Sequence, residues 1–260
     1  MSFRNLLVVN AGGVRTITVN RPDKLNALDR DTITELKVAF GAARDDDEVR
    51  AVVLTGAGPK AFVAGADITE FADATPVQAL AFSRHGQELM TAIERLGKPS
   101  IARINGFALG GGLELALACS LRIAAATAKL GLPEINLGIL PGFGGTQRLL
   151  RLAGRAATLE LALTGAPVTA ARALEMGIIN RVAALDNLDA EVGALAGQLA
   201  ASAPHAVRGI LDAVLIGGEC SLEAGLEFES RAFAVCASTG DMREGTRAFL
   251  DRRKATFSGH

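Results

Sequence analysis

Two glutamates stand where a carboxylate is costly. Glu114 follows three consecutive glycines, Gly110 to Gly112, inside the apolar stretch Leu113-Glu114-Leu115-Ala116-Leu117-Ala118. Glu134 lies in Gly131-Leu132-Pro133-Glu134-Ile135, just before a second glycine-rich run from Gly138 to Thr146. A charge in such surroundings is either partnered or functional. Taken singly, each glutamate reads first as one half of a salt bridge. Two of them, each beside a glycine-rich turn, point to acid–base work, in which one carboxyl group is ionised and the other protonated. The proline biases Leu132 toward an extended backbone, so Glu134 is expected on a rigid loop rather than a helix.

The glycines suggest a second function. Three in a row lose much backbone entropy, so the position must want no side chains. A glycine turn at a helix start leaves backbone N–H groups free and places them at the positive end of the helix dipole. That combination can hold an oxyanion or a phosphate; a turn needed only for packing is the plainer alternative. No Gly-Lys-Ser/Thr follows, so this is not a P-loop, and the spacing is not the dinucleotide fingerprint. Ala61-Phe62-Val63-Ala64-Gly65-Ala66-Asp67-Ile68 is a similar small-residue loop. Two such loops could aim two N–H groups at one oxygen, as an oxyanion hole requires. Asp67 by itself reads as a cap or loop anchor.

These loops need strands and helices to place them. Leu6 to Val9 and Val14 to Val19, split by Gly12-Gly13, read as a hairpin. Asp29 or Asp31 can cap a helix whose apolar face carries Ile33, Leu36 and Phe40. The acidic run 45–48 is a solvated turn. Buried strands are expected at Ala51 to Leu54, Ser100 to Ile104 and Leu121 to Ala124, and helices from Pro76 and over Leu113 to Cys119. Strand alternating with helix is α/β organisation. Residues 56–66 and 106–112 read as glycine-rich loops or turns. Thr169 and Ser221 are expected amino caps, and from about Asn187 onward the signal is almost all helix. No repeat of fixed period is visible.

Composition narrows the function classes. The chain has 260 residues, 49% hydrophobic and 21% charged, with net charge −1. That is a globular composition able to bury a sizeable core. The charge balance and the scarcity of aromatics, 4% with no Trp or Tyr, argue against a nucleic-acid partner. No run approaches a membrane span, and the amino terminus lacks a signal-peptide pattern. Three cysteines, Cys119, Cys220 and Cys236, fit neither a metal clip nor a disulfide framework, so a reducing cytoplasm is expected.

Several blocks resemble the signatures of the enoyl-CoA hydratase/isomerase (crotonase) family: AGADI at 64–68, NGFALGGGLELALAC at 105–119 and LPEINLGILPGFGGTQRL at 132–149. NRPDKLNALD at 20–29 and MREGTRAFLDRRKATF at 242–257 resemble its terminal blocks, so the likeness runs nearly end to end and in order. It implies an α/β fold, a crotonase-like spiral of ββα units over 1–198, followed by a helical trimerisation region over 199–260. It implies an oxyanion hole from the amides of Ala66 and Gly111, with Glu114 and Glu134 as catalytic carboxylates. Ala64, Gly65, Asp67, Ile68, Gly110 and Gly142 fall on substrate-binding positions, and Phe249 and Arg252 on positions near the coenzyme A moiety. Two departures stand out: Ser120 occupies a position often held by Asp, and Thr69 one where some relatives have Lys.

The resemblance further implies a hydro-lyase, an enoyl-CoA hydratase of fatty-acid (lipid) metabolism that adds water reversibly and syn to a 2-trans-enoyl-CoA to give 3-hydroxyacyl-CoA. Two N–H donors would hold the thioester enolate, each contributing about 3–4 kcal/mol. Glu114 would activate the water and Glu134 would exchange a proton with the α-carbon. No metal and no cofactor is expected beyond the coenzyme A carried by the substrate. The expected assembly is a homotrimer or homohexamer, with Phe228, Phe233 and Phe249 among the large apolar groups available for burial. The alternatives are an enoyl-CoA isomerase or other acyl-CoA chemistry on the same fold, and a non-catalytic coenzyme A- or RNA-binding member.

Overall fold

The structure, a computed structural model, describes residues 2–260. Strands β1 (Leu6–Ala11) and β2 (Val14–Val19) form the expected antiparallel hairpin. Gly12 and Gly13 turn it at φ 58° and 76°, where a side chain would be strained. Helix α1 (Arg30–Asp45) starts at Asp29, whose carboxylate accepts the Thr32 N–H, and buries Ile33, Leu36 and Phe40.

A pattern of two strands and a helix then recurs. β3 (Ala51–Gly56) and β4 (Ala61–Val63) lead to α2 (Pro76–Glu94). β5 (Ser100–Ile104) and β6 (Phe107–Leu109) lead to α3 (Gly111–Ala118). β7 (Leu121–Ala125) and β8 (Lys129–Gly131) lead to α4 (Gly145–Thr164), which is broken at Gly154 by φ 79° and ψ 174°. The first strand of each unit joins one six-stranded sheet and the second joins another. With β9 (Val168–Thr169) and β10 (Arg181–Ala183), the sheet orders are β1-β2-β3-β5-β7-β10 and β4-β6-β8-β9. Beyond β2 the large sheet is wholly parallel, and β8–β9 is the antiparallel pair of the small one. This is the spiral of ββα units.

The second sheet corrects the sequence reading. Residues 61–63 and 107–109 are strands where loop and turn were expected, and 129–131 is a third strand that the sequence did not signal; each is only three residues long, with a glycine in it or within three residues. Helix α2 ends at Glu94, so Leu96 packs from beyond it rather than on its face. Its start carries a capping box between Thr75 and Gln78, worth about 1 kcal/mol.

Short α5 (Ala170–Glu175) is capped by Thr169, as expected. Helix α6 (Leu188–Ala200) lays Leu188, Val192 and Ala196 against the large sheet, so the body extends to about Ala200. α7 (Pro204–Gly217), α8 (Leu222–Ala237, capped by Ser221) and α9 (Gly240–Leu250) follow, with α7 and α8 packed as a pair. Buried Asp241 accepts the N–H groups of Ser258 and Gly259, which pins the last residues back on α9. No single helix among the described residues is long and apolar enough to cross a membrane. Ser120, where relatives often have Asp, exchanges hydrogen bonds with Ser100 at 3.0 and 3.2 Å, tying the end of α3 to the start of β5.

Candidate active site

The first half of the site is backbone. After β4 the chain is zipped to the segment 25–28: Ala64 N donates to Leu25 O, Leu28 N to Gly65 O and Asp67 N to Leu28 O, at 2.8–3.0 Å. The Ala66 N–H lies between these bonds and donates to no acceptor among the described residues. Buried Asn26, at φ 61°, holds this crossing by donating to Ala57 O and Ala61 O, and Asn105 donates to Gly56 O, Gly58 O and Ala61 O.

The second amide comes from α3. Gly110 N bonds Gly131 O, and Gly111 opens the helix with an N–H that also lacks an acceptor among the described residues. An ideal Cβ on Gly111 would stand 3.3 Å from Ala66 N, so the two peptide units lie side by side. Two adjacent unpaired donors, one of them at a helix amino end, have the arrangement an oxyanion hole requires.

The carboxylates complete the site. Glu114, on the first turn of α3, is 1% exposed. Its Oε1 accepts the amides of Phe143 at 2.8 Å and Gly145 at 2.7 Å, which fixes the carboxyl plane. Burial pushes its pKa up to about 7 and the charge of Glu134 adds to the rise, while the two amides and Arg148 pull it down. Gly145 must lack a side chain, because a Cβ there would stand 2.9 Å from the Glu114 side chain.

Glu134 lies in a 3₁₀ turn, Pro133–Leu137, rather than the expected rigid loop; Pro133 at the first position presets φ for the turn. Its Oε2 is buried without a hydrogen-bond partner, and burial raises its pKa. An unpaired buried carboxylate oxygen is costly, which makes structural service a poor reason for its presence.

All of these groups face one cavity of about 990 Å³. Its apolar wall includes Phe71, Phe82 and Phe143; Phe82 and Phe143 meet edge to face at 5.3 Å. Ala64, Gly65, Ala66, Ile68, Gly110, Gly111 and Gly142 line it with Glu114 and Glu134. Gly142 contributes a carbonyl that Ser83 and Gln87 of α2 hold at 2.6 and 3.0 Å.

Three expected residues are not brought to the cavity within the chain. Asp67 serves as the loop anchor that its type suggested: it caps the turn through Thr69 and pairs with Arg21 at 3.2 Å, and both interactions lower its pKa. Phe249 is 83% exposed on α9, and Arg252 sits just beyond that helix. Thr69 itself is bonded to Asp67. Sequence reasoning missed the amides of Phe143 and Gly145, although it marked the run that holds them as glycine-rich. It also missed Ser83 and Gln87, which carry no local signal. Among the described residues no three His, Cys, Asp or Glu side chains are placed to hold a metal ion.

The chain is similar over nearly its whole length to known proteins. A family model described as enoyl-CoA hydratase/isomerase matches residues 10–260. The chain is 42% identical over 254 residues to a short-chain-enoyl-CoA hydratase of Clostridium acetobutylicum, covering 98% of this chain and 97% of that protein. It is 41% identical to a crotonyl-CoA hydratase of Syntrophomonas wolfei, with 99% of each covered. The crystal structure of an enoyl-CoA hydratase from Bacillus anthracis superposes with a TM-score of 0.96 at 39% identity, over 99% of this chain and 100% of that one.

Proposed function

This chain belongs to the enoyl-CoA hydratase/isomerase family, and on that footing we propose how its site works. It is an enoyl-CoA hydratase, a hydro-lyase that adds water reversibly and syn to a 2-trans-enoyl-CoA to give a 3-hydroxyacyl-CoA. The observation that carries the reading is the convergence of two unpaired amides and two carboxylates on one cavity.

The thioester carbonyl oxygen lies between the amides of Ala66 and Gly111. As water adds to the β-carbon, negative charge moves to that oxygen, where fixed donors and the α3 dipole stabilise it by several kcal/mol, about 3–4 per donor. Ionised Glu114 takes a proton from the water. Protonated Glu134 gives one to the α-carbon on the same face. The reverse reaction returns both protons. Two nearby carboxyl groups with raised pKa values share one proton near neutral pH, which supplies the mixed state. Coenzyme A enters as part of the substrate, and the chain's residues need no further cofactor for these steps. Fatty-acid metabolism is the natural setting for such a substrate.

The assembly belongs to the same reading, as a homotrimer or homohexamer. Its support is the apolar surface on α7–α9, where Ile210, Val214, Leu222, Phe233 and Phe249 are all more than half exposed on the single chain. A cytoplasmic location is part of it too, supported by three cysteines that form no disulfide.

The test is a substrate panel of 2-trans-enoyl and 3-enoyl thioesters from four carbons upward. Hydration of the 2-enoyl series is expected. Double-bond migration in the 3-enoyl series without hydration of the 2-enoyl series would overturn the assignment.

A further inference from the structure

Arg148 lies at the end of the first turn of α4, in the helix that begins where the loop gripping Glu114 ends. Its guanidinium reaches back into that loop. Nη1 donates to Phe143 O at 3.2 Å, and Phe143 N is one of the two donors on Glu114 Oε1. Gly144, at φ 105°, leaves the room this requires: a Cβ there would stand 2.4 Å from Arg148 Nη1. The other face of the guanidinium is held by α2, where Nε and Nη2 meet the two oxygens of Glu94 at 3.3 and 3.1 Å and Nη2 meets Thr91 Oγ1 at 3.4 Å. The Arg148 side chain is only 13% exposed, so this charge is weakly screened.

A partly buried two-point Arg–carboxylate pair fixes orientation as well as charge. Here it fixes the peptide units of Phe143 and Gly144, on either side of which lie the N–H groups that hold Glu114. We propose that Arg148 is a positioning residue for Glu114, setting both the geometry and the protonation of that carboxyl group, with Glu94 as the counter-charge that limits its influence.

The charge balance around Glu114 supports this. The charged groups that face it are Glu134 from the turn after β8 and Arg148 from α4, with Glu94 of α2 behind the arginine. Helix α3 carries no second charged residue, and neither does β4. Burial and Glu134 favour the neutral acid, and Arg148 is the cation that opposes them. Removing the arginine releases Glu114 to titrate higher; removing the negative charge of Glu94 strengthens the arginine and takes Glu114 lower. A residue that only braces the loop would not move the titration in opposite directions from its two ends.

The inference rests on the hydratase reading, so the experiment has two readouts. The first is the pH profile of kcat/KM for 2-trans-enoyl-CoA hydration in the wild type, Arg148→Gln, Arg148→Lys and Glu94→Gln. The acid limb is expected to move up by about one pH unit in Arg148→Gln, to move down in Glu94→Gln, and to lie between the wild type and Arg148→Gln in Arg148→Lys. At pH 7, Arg148→Gln should lose about tenfold or more in kcat with a smaller change in KM. The second readout is the titration of the Glu114 carboxyl carbon by NMR, which needs no turnover. Should the wild type fail to hydrate, the functional reading falls and the NMR shift still decides the role of Arg148. If Arg148→Gln does not fold, the direction of the Glu94→Gln shift decides it. A Glu114 titration unmoved in both variants, or moved the same way in both, overturns the proposal.

Discussion

An oxygen of Glu134 occupies the space where a side chain on Gly110 would go. An ideal Cβ at Gly110 would stand 2.7 Å from Glu134 Oε1, and the Gly110 backbone, at φ 50° and ψ −124°, suits glycine alone. Gly110, which caps α3, and Glu134, the proposed α-proton donor, are therefore fitted to each other. Gly110→Ala is expected to push the carboxyl group aside and strain the turn together. A displacement of about 1 Å costs on the order of 100-fold in rate. Steady-state hydration of crotonyl-CoA should fall by about that factor or more; a loss under threefold would show that the two residues are not so matched.

Replacing the carboxylates separates chemistry from structure. Glu134 Oε2 has no protein partner, so Glu134→Gln should leave the melting temperature unchanged or slightly higher while hydration falls by several orders of magnitude. Glu114→Gln can keep both amide bonds through its remaining carbonyl oxygen, so it too should fold and should be as severely inactive. Calorimetry beside kinetics reads both. Near-wild-type turnover in either variant would remove that residue from the mechanism.

The titration of Glu114 has a sign that can be checked in two ways. Its pKa is raised from 4.5 to about 7. The pair needs one ionised and one protonated carboxyl group, so kcat/KM should climb as the pair loses its first proton and fall as it loses its second. For stability, the folded chain holds this proton more tightly than the unfolded chain. The contribution is intact below pH 4.5 and is lost as pH rises through about 7, at 1.4 kcal/mol per pKa unit about 3 kcal/mol in all. Unfolding free energy measured from pH 4.5 to 8 should drop by that order in the wild type and stay flatter in Glu114→Gln. Parallel curves would show that burial of this carboxyl group carries no such penalty.

The apolar surface of the last three helices makes a prediction about assembly. Phe233 on α8 is 76% exposed on the single chain. Phe233→Glu should lower the mass seen by light scattering from the trimeric or hexameric value toward one chain. An unchanged mass in that variant, or a monomeric wild type, would contradict the proposed assembly.

Five of the six strands of the large sheet, all but β10, were readable from sequence because they carry their own signal. Ala51–Gly56 is buried throughout, Asp29 caps the helix that follows the hairpin, and the alternation of strand and helix is plain. The small sheet was not readable, for a physical reason. Ala61–Val63, Phe107–Leu109 and Lys129–Gly131 are too short to show alternation, and the glycines around the first two read as loop and turn. Nor was the repeat visible, because the first strands of the units begin at 6, 51, 100 and 121, with no constant spacing. In the site, Glu114 and Glu134 betrayed themselves as charges in apolar runs. The grip on Glu114 did not, because it is made by main-chain groups. The pair Arg148–Glu94 joins helices 54 residues apart in sequence, and neither partner looks unusual where it stands.

The successive two-strand-and-helix units divide the work of the site. One unit carries the Ala66 amide between its second strand and its helix, the next supplies the Gly111 amide and Glu114, and a third brings Glu134 and the loop that clasps Glu114. The groups proposed to polarise the carbonyl are main-chain amides, whereas those proposed to handle the protons are side chains. A descendant of this chain could lose either acid and still grip an acyl thioester, free to acquire a different reaction.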